Sequence, residues 1–142
     1  MFDKKSYMKE YRKTKKYKKA QKEWGKKYRR TKKYRDYLQT EKSKTLRSKI
    51  AKKINHKLKQ EVISHYGGKC KCCGEDHWEF LTIDHVGGGG AEHRRKIGGG
   101  NKIYYWLRKN NYPKGFRVLC VGCNFSLGMY GYCPHQKELE NG

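Results

Sequence analysis

Six cysteines, one Asp-His pair and one asparagine carry most of the chemistry that this sequence can perform. Cys70-x-x-Cys73 and Cys120-x-x-Cys123 are two matched knuckles. Two residues between cysteines let a tight turn aim both sulfurs at one ion, and a tetrahedral zinc would sit about 2.3 Å from each thiolate. The 46 residues between the knuckles would form a loop closed by Zn2+. In so small a module the metal supplies folding free energy that an apolar core cannot. Cys72 abuts Cys73 and is a poor partner for the same ion. Cys133 and His135 either form a further site or shape a C-terminal turn as Cys133-Pro134-His135, and a mixed ligand set stays open.

Asp84-His85 closes the apolar, β-branched run Phe80–Val86, and Asn124 directly follows the second knuckle. One strand and one helix face could therefore gather Asp84, His85 and Asn124. A carboxylate and a carboxamide oxygen are hard ligands suited to Mg2+ or Mn2+. A neutral imidazole beside them can take a proton from water. The plainer alternative is an ordinary strand-end pair and a helix-capping asparagine. His93, Arg94 and Arg95 lie in a glycine-rich loop, Gly87 to Gly100, where they either clamp a phosphate or form a solvated basic turn. Gly87–Gly90 lacks the Gly-Lys-Ser/Thr ending of a phosphate-binding loop and is no nucleotide site.

The elements that must position these groups follow from local pattern. Strands are predicted at Phe80–Val86 and Phe116–Leu119, a short helix over Ile103–Asn110 packing through Ile103, Tyr104, Trp106 and Leu107, a turn at Tyr112–Gly115, and a helix running from Cys120 to about Met129. Upstream, Leu46, Ile50, Ile54, Leu58 and Val62 recur every four residues, which predicts an amphipathic helix over residues 44–65 stopped at Gly67-Gly68. His56 and His65 on it read as structural or exposed residues.

The N-terminal part is of another kind. Residues 1–60 hold 25 Lys and Arg against 5 Asp and Glu, whereas residues 61–142 hold 11 against 8; the formal charge of the chain is +23. Tyr11-Arg-Lys-Thr-Lys-Lys-Tyr17 recurs as Tyr28-Arg-Arg-Thr-Lys-Lys-Tyr34, with Tyr7 and Trp24 also in correspondence. The stretch is predicted to be mainly helical, either as one long helix with a winding aromatic stripe or as helices broken at the threonines or Gly25. A polycation joined to a near-neutral half implies a polyanionic partner, and nucleic acid comes first because each phosphate contact releases condensed counterions. Arg12, Lys13, Lys15, Lys16, Arg29, Arg30, Lys32 and Lys33 are the expected phosphate contacts. Such contacts position a protein on DNA without reading its sequence.

The combination of knuckle, Ile83-Asp84-His85, glycine-rich loop and Val118-Leu119-Cys120-x-x-Cys123-Asn124 resembles the HNH endonucleases, whose fold is the ββα-metal module. Over residues 66–135 it is most similar to small phage-encoded members of the recombination endonuclease VII group; Leu127-Gly128 after the second knuckle shares in this likeness. The resemblance implies His85 as general base and Asp84 and Asn124 as holders of one divalent ion, with 5′-phosphate and 3′-hydroxyl products. The chain departs from the family's pattern at the middle asparagine, where it has Gly115 and Phe116 instead; Asn110 and Asn111 are out of register. In the family that residue orients the base.

The expected architecture is α+β: a basic helical arm (1–43), a connecting helix (44–66), a ββα-metal nuclease domain with a four-cysteine zinc site (67–135) and a disordered tail (136–142). The expected function is metal-dependent cleavage of DNA, double-stranded first, with a homodimer allowed. The alternative is a non-catalytic zinc-ribbon protein that binds DNA or RNA. No run is long and apolar enough to span a bilayer and no secretion signal is recognisable, so no membrane partner is expected. The thiols then read as intracellular, in the cytoplasm of a bacterial or phage-infected cell.

Overall fold

A computed structural model describes residues 3–136, and the chain divides between Ile50 and Ala51 into two units. The predicted tail lies outside the described residues except for Gln136. Among these residues no helix is long and apolar enough to cross a membrane.

The first unit holds three helices, α1 (Lys4–Tyr11), α2 (Lys15–Arg29) and α3 (Lys32–Gln39), and the start of α4 (Glu41–His65). The breaks fall at the threonines. Thr14 Oγ1 accepts from the Tyr17 amide and donates to the Tyr11 carbonyl; Thr31 does the same between Tyr34 and Tyr28. A hydroxyl used twice in this way satisfies an orphan amide of the new helix and a carbonyl of the old one. Thr40 repeats the device ahead of α4, accepting from Ser43 and donating to Tyr37. Gly25 lies within α2 and breaks nothing.

The sequence repeat is thus a structural repeat. Tyr7 stacks on Tyr11 as Trp24 stacks on Tyr28, each pair 5° from parallel. Tyr11 meets Tyr17 edge-on, as Tyr28 meets Tyr34, with ring centroids 5.4 Å apart in both. The aromatic rings pack locally, and the Lys and Arg heads remain in water. Thr31→Ala is expected to destabilise the α2–α3 junction by about 1 kcal/mol, seen as a loss of far-ultraviolet circular dichroism in the full chain with no change in metal content.

In the second unit, β1 (Leu81–His85) and β2 (Phe116–Cys120) form a two-stranded antiparallel sheet, with Leu81 opposite Cys120, Asp84 opposite Arg117 and His85 opposite Phe116. α7 (Val121–Tyr130) leaves β2 without a loop, using Cys120 as its N-cap, and packs against both strands. α6 (Lys102–Lys109) supplies Tyr104 and Leu107 to the core, with Ile103 and Trp106 half-buried beside them, as the pattern predicts. The core is completed by Leu58, Val62 and Ile63 of α4, Leu81 and Ile83 of β1, Val118 and Leu119 of β2, and Cys70, Cys123 and Cys133.

Two expectations need correction. The stripe on α4 is buried only at Leu58 and Val62; Leu46, Ile50 and Ile54 are each about half exposed. Four-residue spacing establishes that side chains share a helix face, but not that a core lies opposite them. The segment from Gly87 to Gly100 is not simply a loop, because it contains α5 (Gly90–Ile97). Gly87, Gly88 and Gly89 all have φ between 80° and 90°, and Gly98 ends the helix at φ 88°. The glycines bracket a helical Ala91–Lys96 segment with left-handed turns that other residues rarely adopt.

Candidate metal centre and adjoining cavity

The two knuckles converge. The sulfurs of Cys70, Cys73, Cys120 and Cys123 all lie within 4.8 Å of one another, and no cysteine is in a disulfide. Cys73 Sγ is 3.7 Å from Cys120 Sγ, and a tetrahedron with sulfur about 2.3 Å from zinc has edges of about 3.8 Å. The thiolate set therefore fits a single four-coordinate ion. Backbone packing brings the knuckles together: the Cys70 amide bonds to Glu75 O, the Lys71 amide to Val118 O, and the Val121 amide to Phe80 O. Burial works against a Cys70 thiolate, but the amides of Cys73, Cys120 and Cys72 outweigh it and hold its pKa at about 6. One ligand is thus poised to ionise at neutral pH. Cys123 is fully buried, and that burial, followed by the neighbouring thiols, pushes its thiol pKa up.

Asp84, His85 and Asn124 line one open cavity of about 370 Å³, together with Gly87, Gly88, Arg117, Leu127, Gly128 and Gly131. The antiparallel register places Arg117 across from Asp84, and its Nε donates to Asp84 Oδ2 at 2.8 Å. Asn124 Nδ2 donates to Thr82 Oγ1 at 3.4 Å. Asp84 Oδ1 and the single carboxamide oxygen of Asn124, Oδ1, accept no hydrogen bond among the described residues.

His85 is half-buried. In a strand, residues two apart share a face, so it follows Leu81 and Ile83 and packs on Phe116 with centroids 4.7 Å apart. Its Nε2 meets His93 Nδ1 at 2.8 Å. Burial, then the neighbouring His93, lower the His85 pKa below its ordinary value, which keeps the imidazole neutral at pH 7. Gly90 lies against the other nitrogen; a Cβ there would be 3.0 Å from His85 Nδ1. His93 Nε2 is buried with no hydrogen-bond partner, and its ring stands edge-on to Trp106 at 4.3 Å. Arg94 and Arg95 are exposed on α5.

Two partners were not legible in the sequence. Arg117 depends on strand register, and the His85–His93 pair depends on α5. The eight arm residues expected at phosphates are all exposed. A scan against protein-family models, a search of curated proteins and a search of solved structures each found no match for this chain. Among the described residues the geometry defines a mixed α+β protein with one two-stranded sheet, several basic N-terminal helices and a four-cysteine cluster able to chelate a metal ion.

Proposed function

We propose that this chain is a zinc-stapled nucleic-acid-binding protein, acting on DNA through its basic helices and the metal-folded unit. The observation that carries the reading is the cysteine quartet, its sulfurs within 4.8 Å of one another, in a chain of charge +23. The four sulfurs hold zinc, and the zinc fixes β1, β2 and α7. Arg12, Lys13, Lys15, Lys16, Arg29, Arg30, Lys32 and Lys33 contact phosphates along the backbone, with Arg94 and Arg95 adding to them from α5.

The test is fluorescence anisotropy of a labelled DNA duplex over a salt series. With six to ten phosphate contacts, affinity is expected to fall roughly 10³–10⁵-fold between about 50 and 200 mM salt. A salt-independent affinity would overturn the reading, and tighter binding of RNA at matched salt would move the partner from DNA to RNA.

A second reading goes further, to an HNH endonuclease of ββα-metal type. It is favoured by one observation: Asp84, His85 and Asn124 face a common cavity. In this reading Asp84 Oδ1 and Asn124 Oδ1 would hold Mg2+ or Mn2+, and the ion when bound would offset charge developing on the scissile phosphate. Arg117 fixes the Asp84 carboxylate. His85 donates its Nε2 proton to His93 Nδ1 and keeps a lone pair on Nδ1, the nitrogen beside Gly90; the buried His93 Nε2 then carries the remaining proton of a ring packed against Trp106. His85 Nδ1 takes the proton from an attacking water. His93 fills the orienting role that the missing middle asparagine leaves vacant.

A further inference from the structure

We infer that the protein holds a second zinc ion, in a site built from Cys72, Cys133 and His135 and completed by Cys123, whose thiolate bridges the two metals. The inference rests on the first site being a zinc site. It starts from three cysteine and histidine side chains that the first site leaves over.

The sulfurs of Cys72, Cys123 and Cys133 and a ring nitrogen of His135 all lie within 4.8 Å of one another. His135 Nδ1 is 3.4 Å from Cys123 Sγ and 3.4 Å from Cys133 Sγ. With Zn–S about 2.3 Å and Zn–N about 2.0 Å, a tetrahedral S···N edge is about 3.5 Å. His135 is therefore already at ligand spacing from Cys123 and Cys133, with Cys72 within 4.8 Å of all three. Cys123 belongs to both groups, so seven side chains supply eight coordination positions, enough for two four-coordinate ions.

The local fold explains the convergence. Gly131, at φ 75°, ends α7 with a left-handed turn. Ser126 Oγ donates to Tyr132 O at 2.9 Å and holds the returning chain against its own helix. This carries Cys133 to the fully buried Cys123, where its own side chain is 1% exposed. On the other side, Cys72 sits between the two ligands of the first knuckle. Its neighbour Cys73 turns toward Cys120, and Cys72 faces the second group. The adjacency that disqualifies Cys72 from the first ion is what delivers it to the second. Two thiols and an imidazole gathered around the sulfur that the first ion would also use suit zinc and exclude magnesium or calcium. The ion would fasten residues 131–136 to the first knuckle and to α7, closing the second unit at its C-terminal end.

The experiment is metal analysis of the full-length protein, purified under reducing conditions, by inductively coupled plasma mass spectrometry, paired with 113Cd NMR of the cadmium-exchanged protein. Two zinc per chain are expected, with two cadmium resonances split by coupling through the shared sulfur. His135→Ala, at an exposed residue, is expected to lower the stoichiometry to one and collapse the splitting while near-ultraviolet circular dichroism stays intact. Cys133→Ser should give the same loss. One zinc per chain with a single cadmium resonance overturns the second site and leaves the first standing. Two uncoupled resonances overturn the bridge. No zinc at all overturns both sites.

Discussion

Chelation of the metal is expected to unfold the second unit outright. Structural zinc in small domains carries about 10–16 kcal/mol of apparent binding free energy at neutral pH, whereas a whole small domain is stable by only about 5–15 kcal/mol. The described core here is small: a dozen side chains, three of them cysteines. Removing the ion leaves thiols that electrostatics cannot hold together, with Cys123 buried among them. Near-ultraviolet circular dichroism from Trp78 and Trp106 should vanish on addition of a strong chelator and return with added zinc. Cys123→Ser should behave as the chelated protein does. A cooperative melting transition that survives zinc removal would show that the apolar core suffices alone.

The second large effect concerns the cavity. On the endonuclease reading, His85→Ala is expected to slow nicking of a supercoiled plasmid in Mg2+ or Mn2+ by roughly 10²–10⁴-fold, while leaving affinity for DNA within about twofold. Wild-type cleavage should hold steady as pH falls through 6.5 and decline only below it. The sign follows from the lowered pKa: burial and His93 disfavour the imidazolium, so the neutral, proton-accepting form persists to lower pH than in a free histidine. Gly90→Ala, which sets a methyl group 3.0 Å from His85 Nδ1, should reduce cleavage with DNA binding intact. Wild-type protein that binds DNA but never cuts it with either metal would remove the endonuclease reading and leave the binding protein.

The sequence carries the local features and loses the lateral ones. Strand and helix positions for β1, β2, α6 and α7 follow from short-range pattern, whereas the repeat in the arm leaves open an unbroken helix or breaks at the threonines or Gly25, of which the structure uses the threonines. The four-cysteine set is legible because a knuckle is a local turn whose purpose is encoded in its spacing. What fails is information about what stands opposite. The spacing of Leu46, Ile50 and Ile54 cannot say that no core faces them. The Asp84–Arg117 pair is set by a register fixed through contacts far apart along the chain. The glycines from Gly87 to Gly100 read as a loop because glycine weakens a helix, yet they sit at the ends of α5 rather than in its body. That helix is what places His93 against His85. Cys72, Cys133 and His135 are visible as ligand types, but that they gather within 4.8 Å of Cys123 depends on the turn at Gly131 and on the packing of the first knuckle.

Zinc held by the four cysteines is the premise of the proposed function, and the most direct check is X-ray absorption at the zinc edge of the full-length protein. The expected spectrum has a first shell dominated by sulfur at about 2.3 Å, with at most a minor nitrogen contribution from His135. A shell of oxygen and nitrogen alone, or reduced protein that takes up no zinc, would contradict the account.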